Sequence, residues 1–352
     1  MSENPFNERN EWRNRVSPLE LLCGFCILSC LTVVAQNEPY KADANWKQTC
    51  AKAIAQPAPS PISGAANDKL AGCDESKLYY GLGDPPDYPG ALQCGWFQYG
   101  HPQRAVGNMF YGHGVLAMLY ANAKGTALDH ELAIRFACEN IWASDGEMAL
   151  SVGHLEYLRD NSGHGSFDLC DDITSGLSDG VCTSIQTRTR DSARNKKIEA
   201  IEQKMSPSSR RAFLALRAAE SAFEDERTDR EVDLSGTSRA AFGLSEQAKL
   251  RDQFLINLQR FSSNDIPATS KAELAFLDGK LKAAYQRLQD APARKWECGT
   301  IKPDGIRETQ LKWVTLLDAW VDFARLAYPE RSETSLRAQL VRLRLHQLRS
   351  LY

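Results

Sequence analysis

From Thr309 to Pro329 the chain reads TQLKWVTLLDAWVDFARLAYP, and its apolar residues recur with a helical period. Trp313, Leu317, Trp320, Ala324 and Ala327 fall at i, i+4, i+7, i+11 and i+14, with Leu316 and Phe323 widening the stripe and Lys312, Asp322 and Arg325 left for water. Two tryptophans on one face require other helices packed against them, so the second half is predicted to be an antiparallel bundle with an aromatic core. Pro329 ends this helix. Ser206-Pro207 opens an earlier one, with Phe213, Leu216 and Phe223 inward and Glu220, Glu224, Asp225, Glu226, Arg227, Asp229 and Arg230 mostly outward. Gly236 breaks it, and Ser245 is expected to cap the next, whose seam is Leu250, Phe254, Leu258 and Phe261. Ser270 and Glu273 form a capping-box pattern ahead of Leu274, Leu277, Leu281, Ala284 and Leu288. A last helix runs from about Thr334 to Tyr352 with two apolar seams, one through Val341, Leu345, Leu348 and Tyr352 and one through Leu336, Leu340 and Leu343. Its Arg337, Arg342, Arg344 and Arg349 read as a solvated basic strip.

In the first half the pattern repeats. YYGLGDPPDYPGALQC is echoed by LYANAKGTALDHELAIRF, with Gly83 matching Gly125, Asp87 matching Asp129 and Ala91 matching Ala133, each pair 42 positions apart. The physical reading is a helix ending at a Gly-containing turn, then an Asp-started helix whose Ala allows close approach. GVLAMLYANAKGTALDHELAIRFAC resembles the Sel-one-like repeat, a relative of the tetratricopeptide repeat that builds α-solenoids for protein binding. The first copy departs from that pattern at Pro85, Pro86 and Pro89. A two-copy array needs a neighbour for its core, so it is expected to pack on the bundle. The proline-spaced run QPAPSPISG, Gln56 to Gly64, reads as a linker, with the first folded unit beginning near Lys69.

Composition changes the picture mainly at the N-terminus. The formal charge of −3 and a pI near 6.1 give no basic field to recruit nucleic acid. Arg9, Arg13 and Arg15 precede the apolar run LLCGFCILSCLTVVA, the length of a signal-peptide core and short for a membrane span, with Val33-x-Ala35 as a cleavage site. Ile27-Leu28-Ser29-Cys30 also resembles a lipoprotein processing site, and an uncleaved anchor is the third possibility; membrane attachment is expected only through this segment. Export to a periplasmic or extracellular space puts Cys50, Cys73, Cys94, Cys138, Cys170, Cys182 and Cys298 in an oxidising compartment. Seven is odd, so at least one stays free. Cys73 with Cys94 and Cys170 with Cys182 are the most local pairings, and the full map stays open.

Candidate chemistry is thin. His164, Asp168, Cys170, Asp171 and Asp172 mix hard and soft ligands at no standard metal spacing, so Asp171 or Asp172 is expected to cap the following turn, with Cys170 bridged to Cys182. His101, His113, His130, His154 and His346 are scattered, with no nucleophile motif beside them. No metal, cofactor or catalytic residue is expected, and the chain is read as a non-enzyme.

The segments AELAFLDGKLKAAYQRLQ, ETQLKWVTLLDAWVDFARLAYP and RLRLHQLRSL resemble the LprI-type lysozyme inhibitor domain, an exported α-helical module. That family has a helix of the form Q-x-x-W-x-x-x-R-D-A, matched by Gln310, Trp313, Asp318 and Ala319, with Trp320 following; Leu317 stands where the family usually has Arg. Leu216 to Phe261 resembles a diverged copy of the same unit. The resemblance implies an exported cell-envelope binding protein that acts on lysozyme or another wall-active enzyme through protein contact. The acidic run supplies a possible surface for a basic partner at Glu220, Glu224, Asp225 and Glu226, or else a solvated helix face. The alternative function is a periplasmic repeat-based scaffold of unknown partner.

The expected fold is therefore all-α, a short α-hairpin array followed by an antiparallel helical bundle. The expected divisions are an export segment over 1–35, a linker over 36–68, Sel-like repeats over 69–150, a Cys/Asp-containing connector over 151–190 and an LprI-like region over 191–352, the last as two copies, 191–262 and 268–352.

Overall fold

A computed structural model describes residues 40–64, 67–104, 108–161 and 164–352. The expected export segment over 1–35, with Cys30, lies outside the described residues. These residues form twelve α-helices and no strand, the all-α class expected. Residues 40–352 are one compact unit with two hydrophobic cores.

Folding begins well before Lys69. Tyr40 is already buried, and α1 (Trp46–Ala55) is a helix inside the stretch expected to be a linker. Its sequence, WKQTCAKAIA, holds good helix formers, and proline enters only at Pro57. A third disulfide, Cys50–Cys138, fixes α1 to the helix of the second hairpin across 88 residues. The run that follows is held too: Arg135 Nη1 donates to the carbonyls of Ala53, Gln56 and Pro57 at 3.3, 2.8 and 3.0 Å. Prolines lack an N–H but keep their carbonyls, and here a buried guanidinium uses them.

The 42-residue echo is real at the level of hydrogen bonds. The helices α2 (Glu75–Tyr80) and α3 (Tyr88–Tyr99) form the first hairpin, and α4 (His113–Ala121) and α5 (His130–Cys138) the second. Asp87 caps α3 by accepting from Gly90 N, and Asp129 caps α5 by accepting from Leu132 N. Asp87 N donates to Leu78 O as Asp129 N does to Tyr120 O, and Leu82 N to Lys77 O as Lys124 N does to Leu119 O. Gly83 and Gly125 both have positive φ, and Ala91 and Ala133 are both fully buried. Pro89 of the first copy causes no defect, because it lies in the first turn of α3, where a missing N–H costs nothing.

Next, α6 (Asp145–Asp160) packs on α1 and α5. It leads through a connector to α7 (Gly176–Glu202), a 27-residue helix that serves both cores: Cys182 and Ile185 join the hairpins, Ile198 the bundle. The array packs on the first half of α7, within residues expected to be a connector, and reaches the bundle through the continuation of that helix past residue 190. The bundle continues with α8 (Pro207–Arg230), α9 (Arg239–Ser262), α10 (Lys271–Gln289), α11 (Pro303–Ala327) and α12 (Glu333–Arg349). Helix α9 starts at Arg239, not at Ser245, which lies within it. Ser270 caps α10 by accepting from Glu273 N, whereas the Glu273 carboxylate pairs with Arg342 of α12 instead of closing the box.

Within α7–α9 the first helix pairs with the third, within α10–α12 likewise, and the two middle helices α8 and α11 pack on each other. The tryptophan stripe faces this seam. Phe213, Phe254, Trp320 and Phe323 meet with ring centroids 5.4 to 6.4 Å apart, and each such pair adds about 1 kcal/mol beyond its buried area.

The basic strip of α12 is not uniformly solvated. Arg344 is fully buried, its Nη1 and Nη2 donating to the two carboxylate oxygens of Glu231 at 2.7 and 2.6 Å and its Nε to Gln310 Oε1 at 2.9 Å. Arg227 shares Glu231 at 2.5 Å and reaches Glu246 at 2.8 Å. The network joins α8, α9, α11 and α12, and every charge in it has a partner of opposite sign.

Candidate functional site

A cleft of 830 Å³ opens where the hairpins, the start of α7 and the start of α9 meet. Its floor is α7 itself, through Leu177, Gly180, Val181, Ser184, Ile185 and Arg188. One wall is Asp74, Ser76 and Asn108; the other is Thr237, Arg239 and Ala240. The helices approach closely because α7 carries glycines there. A Cβ on Gly176 would lie 2.3 Å from the Thr237 carbonyl carbon, and one on Gly180 would lie 2.9 Å from Ala240 Cβ.

The connector to α7 is fixed from below. The buried Glu147 closes a capping box with Ser144 and accepts from Thr174 N and Ser175 N at 3.1 and 3.0 Å. Burial raises its carboxyl pKa, but the donors from Ser144, Ser178, Ser175 and Thr174 outweigh that and hold it below the usual range. Ser175 caps α7, and Cys170–Cys182 ties the preceding turn to its second turn. On a base held this way Leu177 stands 64 % exposed at the cleft. Arg188 also borders a second recess of 420 Å³, shared with Leu82, Gly83, Ser192, Lys196 and Glu199, so the opening extends along α7.

The expected disulfide residues pair as Cys73–Cys94 and Cys170–Cys182, and among the described residues Cys298 is the exposed free thiol. Three disulfides among the described residues are consistent with an oxidising compartment. Around Cys170 the caps differ from expectation: Asp168 caps the short turn and accepts from Tyr80 Oη at 2.7 Å, while Asp172 is buried under Tyr40 Oη at 2.8 Å. Tyr40 stacks on His154 at 3.8 Å, and His154 Nδ1 lies 3.4 Å from the other Asp172 oxygen. That triad packs α6, the connector and residue 40 together. No cluster of three or more metal-type ligands forms among the described residues.

The acidic run does not form one surface. Glu224 is buried and takes three bonds from Arg251 at 2.6 to 3.1 Å, Glu226 is half-buried with Arg230 at 3.4 Å, Glu220 is half-buried, and only Asp225 is fully exposed. Glu224 is thus withdrawn from any shared surface: α8 turns it onto α9, because a carboxylate opposite Arg251 is better paired than solvated. The motif residues are likewise structural. Trp313 and Trp320 are core, Gln310 serves Arg344, and Asp318 and Ala319 sit at the outer edge of α11. The cleft draws on residues 74 to 240, and nothing local in the sequence marks it except the small residues at the start of α7.

Compared with known protein families, characterised proteins and solved structures, the chain matches none.

Proposed function

We propose that this is an exported binding protein that works without catalysis, holding a segment of another protein in the cleft along α7. The observation that carries the reading is an open, pre-organised cleft whose floor presents an exposed Leu177 among small and polar residues. An exposed apolar anchor in a recess with a polar rim is the usual centre of a protein contact. Arg188 and Arg239 line it against a single acid, Asp74, which favours a neutral or acidic segment. The three disulfides fit a periplasmic or secreted setting in a bacterial envelope, and the resemblance of 268–352 to LprI-type domains makes lysozyme or another wall-active enzyme the candidate partner.

The test uses the purified mature protein in excess over lysozyme acting on a wall suspension. Saturable loss of lysis, relieved by Leu177→Arg in a protein that melts as the wild type does, supports the inhibitor reading. Unchanged lysis at excess removes lysozyme as the partner. A second reading, a repeat-based scaffold, is favoured by the two hairpins with matching hydrogen bonds. It is retained if a partner is captured through the cleft while lysozyme is unaffected.

A further inference from the structure

The bundle holds a separate recess of 250 Å³ between α7, α8 and α9, lined by Asp191, Arg194, Arg217, Glu220, Glu224 and Arg251, with Ile198 and Phe254 as its apolar wall. Most of these charges are matched within the protein. Arg251 bonds Glu224 and, at 2.9 Å, Asp191; Arg194 pairs with Asp191 and, at 2.9 Å, with Asp252. Two groups are left over. Arg194 is 4 % exposed, yet its Nη2 has no hydrogen-bond partner. Glu220 lines the recess and is not among the carboxylates that bond or pair with a cation, whereas its neighbour Glu224 is.

A buried guanidinium N–H without an acceptor and a carboxyl that Arg217 influences only at a distance, with no ion pair of its own, are complementary to one small molecule that carries both charges. We propose that this recess binds a small zwitterion of the α-amino-acid type, its carboxylate taken by Arg194 Nη2 and Arg217, its ammonium by Glu220, and an apolar side chain laid against Ile198 and Phe254. A simple anion would face Glu220, Glu224 and Asp191 with nothing to offer them; a simple cation would leave Arg194 unmatched. At about 30 Å³ for one liquid water, the space is that of a single amino acid and not of a chain.

Desolvation first, and then Glu224, push the Glu220 carboxyl up to about 8, against the opposing Arg217. Facing it are Asp191 and Arg194 from α7, Arg217 and Glu224 from its own helix, Arg251 from α9 and, through a small neighbouring void, Arg344 from α12. An arriving ammonium adds a directly bonded counter-charge to the distant one of Arg217, so binding at neutral pH releases the Glu220 proton to solvent.

The experiment is calorimetry on the full mature chain with L-leucine, glycine, leucinamide and 4-methylpentanoate as probes, each in two buffers of different ionisation heat. Saturable binding of leucine with proton release is expected, weaker for leucinamide and 4-methylpentanoate by about tenfold or more. Glu220→Gln and the exposed Arg217→Gln should each weaken leucine by a similar factor with an unchanged circular-dichroism spectrum, and Glu220→Gln should abolish the proton release. The proposal is overturned if 4-methylpentanoate binds as well as leucine, if Glu220→Gln binds leucine like the wild type, or if neither leucine nor glycine saturates the folded protein by about 10 mM.

Discussion

Replacing Arg344 by Met tests the bundle at its least solvated charge. Arg344 and Glu231 are both 0 % exposed at the side chain, and the variant deletes two short bonds to Glu231 and one to Gln310. Breaking a buried pair from one side costs ~3–5 kcal/mol because the other charge is stranded. Arg227 remains on one Glu231 oxygen at 2.5 Å, which places the loss at the lower end, about 3 kcal/mol. For a chain of 352 residues that lowers the melting temperature by about 4 °C. Methionine fills much of the guanidinium's volume, so a large part of the loss is electrostatic. The double variant Arg344→Met/Glu231→Met removes both charges and leaves Arg227 on Glu246; it should recover about 2 kcal/mol relative to the sum of the single variants. Urea unfolding followed by tryptophan fluorescence and by circular dichroism measures all three proteins. Arg344→Met within about 0.5 kcal/mol of the wild type, the value for an exposed side chain, would refute the buried network and restore the solvated strip.

Other expectations are equally specific. Cys50→Ser/Cys138→Ser should cost about 4 kcal/mol through the 88-residue span it opens, and non-reducing peptide mapping of residues 40–352 should find three bridges with Cys298 the one cysteine of that region alkylated in the native protein. Glu220 binds its proton more tightly folded than unfolded, its pKa rising from an ordinary 4.5 to about 8, so its contribution is fully present below 4.5 and is lost as pH rises through 8. Because it keeps some contact with water, the loss across that window is on the order of 2 kcal/mol, and Glu220→Gln should flatten the stability profile there. Gly176→Val should lower stability by about 2 kcal/mol and impair any cleft ligand, since its Cβ would meet Thr237 at 2.3 Å.

What could be read from sequence was what local chemistry determines. Asp87 and Asp129 cap the helices that follow them, Gly83 and Gly125 take positive φ, and the Trp313 to Ala324 stripe is buried, because each signal lies within a turn or two of its effect. What was missed depends on partners far along the chain. Arg344 looks like its neighbours in α12, and only Glu231, 113 positions away, shows that it is internal. Cys50 meets Cys138 across 88 residues, so α1 passed for linker beside the prolines that follow it. The acidic run was misjudged because Arg251, the partner of Glu224, lies on another helix. The cleft assembles from three regions, and its two glycines at the start of α7 could be read only once α9 was seen against them.

The central claim, that the cleft along α7 is a partner surface, is tested most directly by placing a photoreactive residue at Leu177 and, as control, at the exposed Asp318, and irradiating the protein in its native host. The account predicts one discrete protein adduct at 177 that is absent at 318 and lost when Arg188 and Arg239 are both replaced by Glu. No adduct at 177, or the same adducts at both positions, would contradict it.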